Sequence, residues 1–255
     1  ILLDAVAGSI DIQAGIASGS GNISILANVN VSQSAAASDI GTTGGTLDIL
    51  AATGSISMVD GSVSATGSGS IRYAAATTIS LGGLSTTGHV SLSGTAITDG
   101  GDANVDVVSS TLMVRATTGF GTGSNHIETT VGTLSAEVGS GGLFVTEGDG
   151  VVVDTVAAVT VNRVKADGTV TGSTVTDAAL SDLKSLGAAV LQTTNGSITT
   201  AATNGDISAT GNILLKAGET AAATVAAITL NATVSTNAGS AGNISIIAAD
   251  SVSQS

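Results

Sequence analysis

The chain has no cysteine, no proline and no tryptophan, and its 255 residues include one tyrosine, Tyr73, and two phenylalanines, Phe120 and Phe144. Without cysteine there is no disulfide framework, no thiolate nucleophile and no cysteine-based zinc site. With so few aromatic rings, the core cannot be built from the large side chains that dominate ordinary globular interiors. Basic residues are scarce too: six Lys and Arg stand against nineteen Asp and Glu, a net charge of -13. Nucleic-acid phosphates need Lys and Arg, and an anionic membrane surface attracts basic segments, so both are poor partners for this chain. No stretch approaches the ~20 consecutive apolar residues of a membrane span. No signal peptide opens the sequence, so any export signal is expected outside this segment.

What is present is Gly, Ser, Thr, Ala and β-branched residues, with 42% hydrophobic residues overall and 35 glycines. That much apolar content argues against disorder. A short pattern recurs: a glycine, a small polar residue, then alternating aliphatic and polar positions. Gly21-Asn-Ile-Ser-Ile25, Gly45-Thr-Leu-Asp-Ile49, Gly69-Ser-Ile-Arg-Tyr73 and Gly88-His-Val-Ser-Leu92 are examples. Alternation with period two is the strand signal, and a positive-φ corner is the expected use of each glycine. The aliphatic positions Ile23, Leu47, Ile71, Val90, Leu112 and Leu134 recur at a nearly constant interval. That interval is the length of one solenoid coil with two or three strands. The pairs Asp60-Gly61 and Asn195-Gly196 do not recur at a hairpin period. An all-β solenoid of about eleven or twelve coils follows, roughly 55 Å long at the usual strand spacing.

Ser20–Ser34 (SGNISILANVNVSQS) is echoed by residues 241–255 (AGNISIIAADSVSQS), with ten of fifteen positions identical. The chain thus reads as a single solenoid segment, 1–255, holding about one 221-residue unit and the start of the next. Neither ILLDAV at the start nor DSVSQS at the end offers a cap, so adjacent repeats or stacked copies are the expected partners. Thr176–Gly187 has Ala179, Leu180, Leu183 and Leu186 at helical spacing, with Asp177 and Gly187 as caps. A short helix or loop excursion is expected there. The Val/Thr-rich run 151–175 reads as strands, with a turn at Lys165–Gly168.

The segments GNISILAN, TGHVSLSGTAITDGGDANVDV, HIETTVGTLSAEVGSGGLFVTEGDGV, VNRVKADGTV, DAALSDL and LQTTNGSITT, taken in order, resemble the β-strand-repeat regions of giant bacterial exoproteins. These are similar to the filamentous-haemagglutinin and large surface adhesin class, and the resemblance spans nearly the whole chain. It implies a right-handed parallel β-helix in a secreted or surface-exposed bacterial protein of tandem units. Host or neighbouring-cell glycans or proteins would be the partners. It supplies no catalytic residues.

The residues themselves give little chemistry. His89 and His126 are the only histidines, and His126 lies near Glu128. Such a pair is usually just solvated. Polysaccharide lyases on β-helices combine acidic clusters with basic residues, yet of Arg72, Arg115, Arg163, Lys165, Lys184 and Lys216 only Arg163 and Lys165 are close in sequence. No enzyme is expected, and no cofactor. The alternatives are a carbohydrate-binding or carbohydrate-active β-helix, or a calcium-dependent adhesin module. Calcium would draw on two acidic corners, Asp99, Asp102 and Asp106, and Glu147, Asp149 and Asp154, if adjacent coils brought enough oxygens together. Exposed acidic turns are the plainer reading. Asn22, Asn30, Asn195, Asn231 and Asn243 head Asn-x-Ser/Thr triplets and are expected as corner residues rather than glycan acceptors.

Overall fold

A computed structural model describes residues 1–101, 104–220, 224–237 and 241–255. Among them there is no helix, and so none long and apolar enough to cross a membrane. The strands in chain order are β1 (Leu2–Ala5), β2 (Ile10–Ile12), β3 (Ile16–Ser18), β4 (Ile23–Ala27), β5 (Val31–Gln33), β6 (Ile40–Thr42), β7 (Leu47–Ala51), β8 (Ile56–Met58), β9 (Val63–Thr66), β10 (Ile71–Ala75), β11 (Thr78–Leu81), β12 (Gly83–Ser85), β13 (His89–Asp99) and β14 (Val107–Phe120). They continue as β15 (Ile127–Val138), β16 (Gly142–Glu147), β17 (Val151–Val153), β18 (Val159–Asn162), β19 (Thr174–Asp177), β20 (Leu183–Ser185), β21 (Ala189–Thr193), β22 (Ile198–Thr200), β23 (Ile207–Ala209), β24 (Ile213–Ala217), β25 (Ile228–Leu230), β26 (Val234–Thr236), β27 (Ile244–Ala248) and β28 (Val252–Gln254). The chain divides into two compact units, 1–110 with 158–178, and 111–157 with 179–255.

The first unit is a parallel β-solenoid with three strand columns. One column runs β1, β4, β7, β10, β13, all parallel. Its partners Leu2, Ser24, Asp48, Arg72 and Ser91 follow one another at the coil length that the sequence spacing predicts. Ile23, Leu47, Ile71 and Val90 stack in register, as do Ile10, Val31, Ile56, Ile79 and Ile97 in the second column. Most of these stacked side chains are fully buried. The core is therefore layered: each aliphatic side chain packs on its equivalents above and below, so large rings are not required. Polar groups that do enter the core find each other. Tyr73 is fully buried, its hydroxyl 2.6 Å from Ser64 Oγ and 3.2 Å from Gln33 Oε1, while Gln33 Nε2 donates to the Ser38 carbonyl. Burial pushes the Tyr73 pKa up.

The second unit has the same parallel plan, with columns β16, β21, β24, β27 and β17, β22, β25, β28. Its coils are less even: Phe144, Val190, Leu214 and Ser245 stack in register although the links between them differ widely in length.

Two expectations fail. The helix over 176–187 does not form. Asp177 ends β19, Leu180 bridges antiparallel to Val156, and Leu183 is buried in β20 beside Ala136, leaving Leu186 63% exposed. A single helical turn is marginal alone, whereas a strand here gains a ready-made parallel edge. The excursion from the coils lies earlier, as an antiparallel hairpin of β18 and β19 that includes the expected Lys165–Gly168 turn. Nor do most corner glycines use positive φ, although Gly142 does. Gly45 and Gly69 have ordinary φ, yet a Cβ on either would overlap the carbonyl oxygen of the glycine one coil below. Close approach of stacked backbones, rather than turn chirality, selects glycine there. The corner asparagines act as expected: Asn22, Asn30 and Asn195 each accept a hydrogen bond through Oδ1 from the backbone N–H of Thr46, Ser55 or Thr220 one coil on. Asn243 N–H donates to Asn212 Oδ1 in the same way, and Asn231 Nδ2 donates to the Thr200 carbonyl.

Candidate functional site

On the outer face of the first unit, the column Ser24, Asp48, Arg72, Ser91 puts an acid directly beside a base one coil away. Strands of a solenoid project alternate side chains outward, so such a column would ordinarily be solvated. Here the hairpin 158–178 lies over it. Val159 and Val161 are fully buried, and the polar groups interlock. Arg163 Nε donates to Asp48 Oδ2 at 2.7 Å and Arg72 Nη1 to Asp48 Oδ1 at 3.1 Å. Arg72 Nε reaches Asp177 Oδ1 at 3.0 Å, and Ser91 Oγ donates to Asp177 Oδ2 at 2.6 Å. Further along, the Asn162 amide donates to Thr46 Oγ1 at 2.8 Å and the Val164 amide to Ser24 Oγ at 2.9 Å. Two arginines and two aspartates alternate, so the cluster carries no net charge. The Asp48 side chain is wholly buried, which a carboxylate tolerates only when paired this fully. Burial disfavours the charged form of Arg72, but Asp177 and Asp48 outweigh it and raise the pKa above its ordinary value.

The acidic corners fare differently. Asp99 ends β13 facing inward beside Leu81, is nearly buried, and accepts a hydrogen bond from the Gly101 amide. Asp106 is also buried, and carboxylate oxygens of the two lie within 4.8 Å of each other. Asp102 lies outside the described residues. In the second unit Glu147 is fully buried at the end of β16. Thr129 Oγ1 donates to Oε2 at 2.6 Å, and the Val131 amide donates to both oxygens at 3.1 Å. Burial is the main cause that pushes its pKa up to about 7, against the lowering effect of these donors. Asp149 is exposed, and Asp154 Oδ1 accepts from the Thr155 amide. Among the described residues Glu147, Asp149 and Asp154 do not converge as a three-carboxylate group.

His89 is exposed at the start of β13. His126 turns Nδ1 to Thr146 Oγ1 at 3.0 Å, and its ring centre lies 5.8 Å from that of Phe144. Burial lowers its pKa. Beside it, the outward residues of β21, β24 and β27 include Gln192, Lys216 and Ile247. They border an open groove of about 460 Å³ together with Thr194 and Glu219.

Sequence reasoning missed the charged column. Half of it was available: the stacking of Leu47 on Ile71 already sets Asp48 beside Arg72. The other half comes from Arg163 and Asp177, which lie far along the chain from every partner in the column. Comparison with known proteins yields no match: no protein family, no curated protein and no solved structure matches the chain.

Proposed function

We propose that this chain is one unit of a longer β-solenoid array, a structural and adhesive rod of the kind found in filamentous-haemagglutinin-like surface proteins of bacteria. It works by reach, stiffness and surface contact rather than by catalysis. The observation that carries the reading is an equivalence between coils. Ile1-Leu-Leu-Asp-Ala5 followed by Ile23-Ser-Ile-Leu-Ala27 matches Ile213-Leu-Leu-Lys-Ala217 followed by Ile244-Ser-Ile-Ile-Ala248. The pairing register is also the same, Leu2 on Ser24 and Leu214 on Ser245. The later pair of coils ends in exposed aliphatic groups, Ile244 at 44% and Val252 at 51%.

The acidic, cysteine-free composition and the resemblance noted in the sequence support a place outside the bacterial cell. A calcium-dependent module would draw on Asp99 and Asp106, whose carboxylate oxygens lie within 4.8 Å of each other. A carbohydrate reading has the groove beside Lys216 but no aromatic platform lining it. Appending residues 35–110 after Ser255 tests the array. Amide exchange at Ile244–Gln254 is expected to slow, because a coil like β7 then covers β27. Unchanged exchange would refute the reading.

A further inference from the structure

In the second unit residues 148–188 separate β16 from β21, although the two strands are neighbours in one ladder. Three outward polar side chains meet at this step. Thr146 and Gln192 face each other in register, 46 residues apart in sequence. His126 packs against Phe144, the rings tilted by 42° with 5.8 Å between centres. All four side chains are half-buried.

His126 Nδ1 is 3.0 Å from Thr146 Oγ1. Gln192 Nε2 donates to the same hydroxyl oxygen at 2.9 Å and lies 3.4 Å from His126 Nδ1. Burial lowers the pKa of His126, so the imidazole is uncharged at neutral pH and one ring nitrogen accepts. With the ring proton on Nε2, the Thr146 hydroxyl donates to Nδ1. A nucleophile and its general base make this contact. The same Nδ1 lies beside the amide nitrogen of Gln192. A base that reaches both the attacking oxygen and the departing nitrogen can carry the proton from one to the other, as acyl transfer requires. The acyl carbon, Gln192 Cδ, is bonded directly to that nitrogen, so the ladder already holds nucleophile and carbonyl together. Lys216, next to Gln192 in register on β24, brings a positive charge to the side where the carbonyl oxygen becomes negative.

We propose that Thr146 and Gln192 join in an ester bond, with His126 as the base, and that this bond staples β16 to β21. Thr146 Oγ1 attacks Gln192 Cδ, an Oγ1–Cδ bond forms and the Cδ–Nε2 bond breaks. The hydroxyl proton passes to His126 Nδ1 and then to the departing nitrogen, which leaves as ammonia. His126 ends neutral, and no oxidant, reductant or further reactant is consumed. The reaction runs once per chain, without turnover. It lies within one unit and so stands independently of the array reading. Its consequence is mechanical: the cross-link closes the long link covalently, and the intervening chain cannot be drawn out under tension.

The test is the intact mass of residues 1–255 after purification and prolonged incubation at neutral pH. A mass short by one ammonia, with a peptide that joins Thr146 to Gln192 and is split by hydroxylamine, supports the ester. The full sequence mass overturns it, and so does a loss of ammonia that maps to any other residue, such as an asparagine succinimide. Thr146→Val keeps the shape without the hydroxyl and is expected to show the full mass. A loss of ammonia that survives in this variant also overturns the ester. His126→Phe keeps a ring against Phe144. It is expected to leave the chain unlinked over the same incubation, since loss of a general base costs about a hundredfold or more in rate. A full yield of ester in that variant overturns the role given to His126.

Discussion

Two coils of this protein agree at ten of fifteen positions and have opposite surroundings. Ile23 and Val31 are 0% and 1% exposed, while their counterparts Ile244 and Val252 are 44% and 51% exposed. Ser24 is buried and holds the Val164 amide, whereas Ser245 is exposed. Burial is therefore not encoded in the coil. A thin solenoid obtains each layer of its core from the coil on either side, so one sequence is interior in one setting and surface in another.

The comparison can be broken at several levels. The largest effect is expected from the rung that follows Ser24, where Asp48 pairs with Arg72 and Arg163. Asp48→Ala leaves Arg72 and Arg163 without their shared anion, and loss of a buried partner costs about 4 kcal/mol. Amide exchange of 158–178 should rise sharply in that variant, and if it stays slow the charged column does not hold the hairpin. Next, Ile23→Ala should cost about 3 kcal/mol in urea unfolding, as cavity-forming changes do. Ile244→Ala should cost less than about 1 kcal/mol, in line with exposed sites. Equal losses would mean that the two coils have the same surroundings in solution.

A third measurement sharpens the contrast inside the second unit, where Glu147 occupies the inward position that Thr193, Ala217 and Ala248 fill in later coils. Its pKa in the fold, about 7, is above the ordinary 4.5, so the folded state favours the protonated acid. The stabilisation is complete below pH 4.5 and is lost as pH rises through 7, by about 1–3 kcal/mol. Glu147→Gln should flatten this part of the stability profile, and a slope that survives the substitution would assign it to another group. The smallest effect is at the serines. Ser24→Ala removes a buried acceptor and should cost about 1 kcal/mol, while Ser245→Ala should be near neutral.

Much of the scaffold could be read from residues alone. Ile23, Leu47, Ile71 and Val90 stack as their spacing predicts, because β-strand alternation and coil length are local properties. The Lys165–Gly168 turn was legible for the same reason. The helical spacing of Ala179, Leu180, Leu183 and Leu186 misled, since so short a run does not sustain a helix and the neighbouring strand edge took Leu183 instead. The hairpin's place on the first unit was not legible. Its partners Asp48 and Arg72 are set by coil stacking, but nothing near Arg163 or Asp177 in sequence points to them. Of the acidic corners, Asp99 and Asp106 do come near each other, while Glu147 turns inward because it continues the alternation of Leu143 and Val145.

The uneven steps of the second unit carry a practical consequence. Val190, Leu214 and Ser245 keep their register across links of unequal length, and Phe144 keeps it with Val190 across a longer link still. Strands are fixed by their neighbours above and below, so the corners can lengthen without cost to alignment. New peptides grafted between Ala217 and Ile228 would be displayed on an unchanged framework. Diversity in such a chain can accumulate at its corners while the ladder beneath them stays constant.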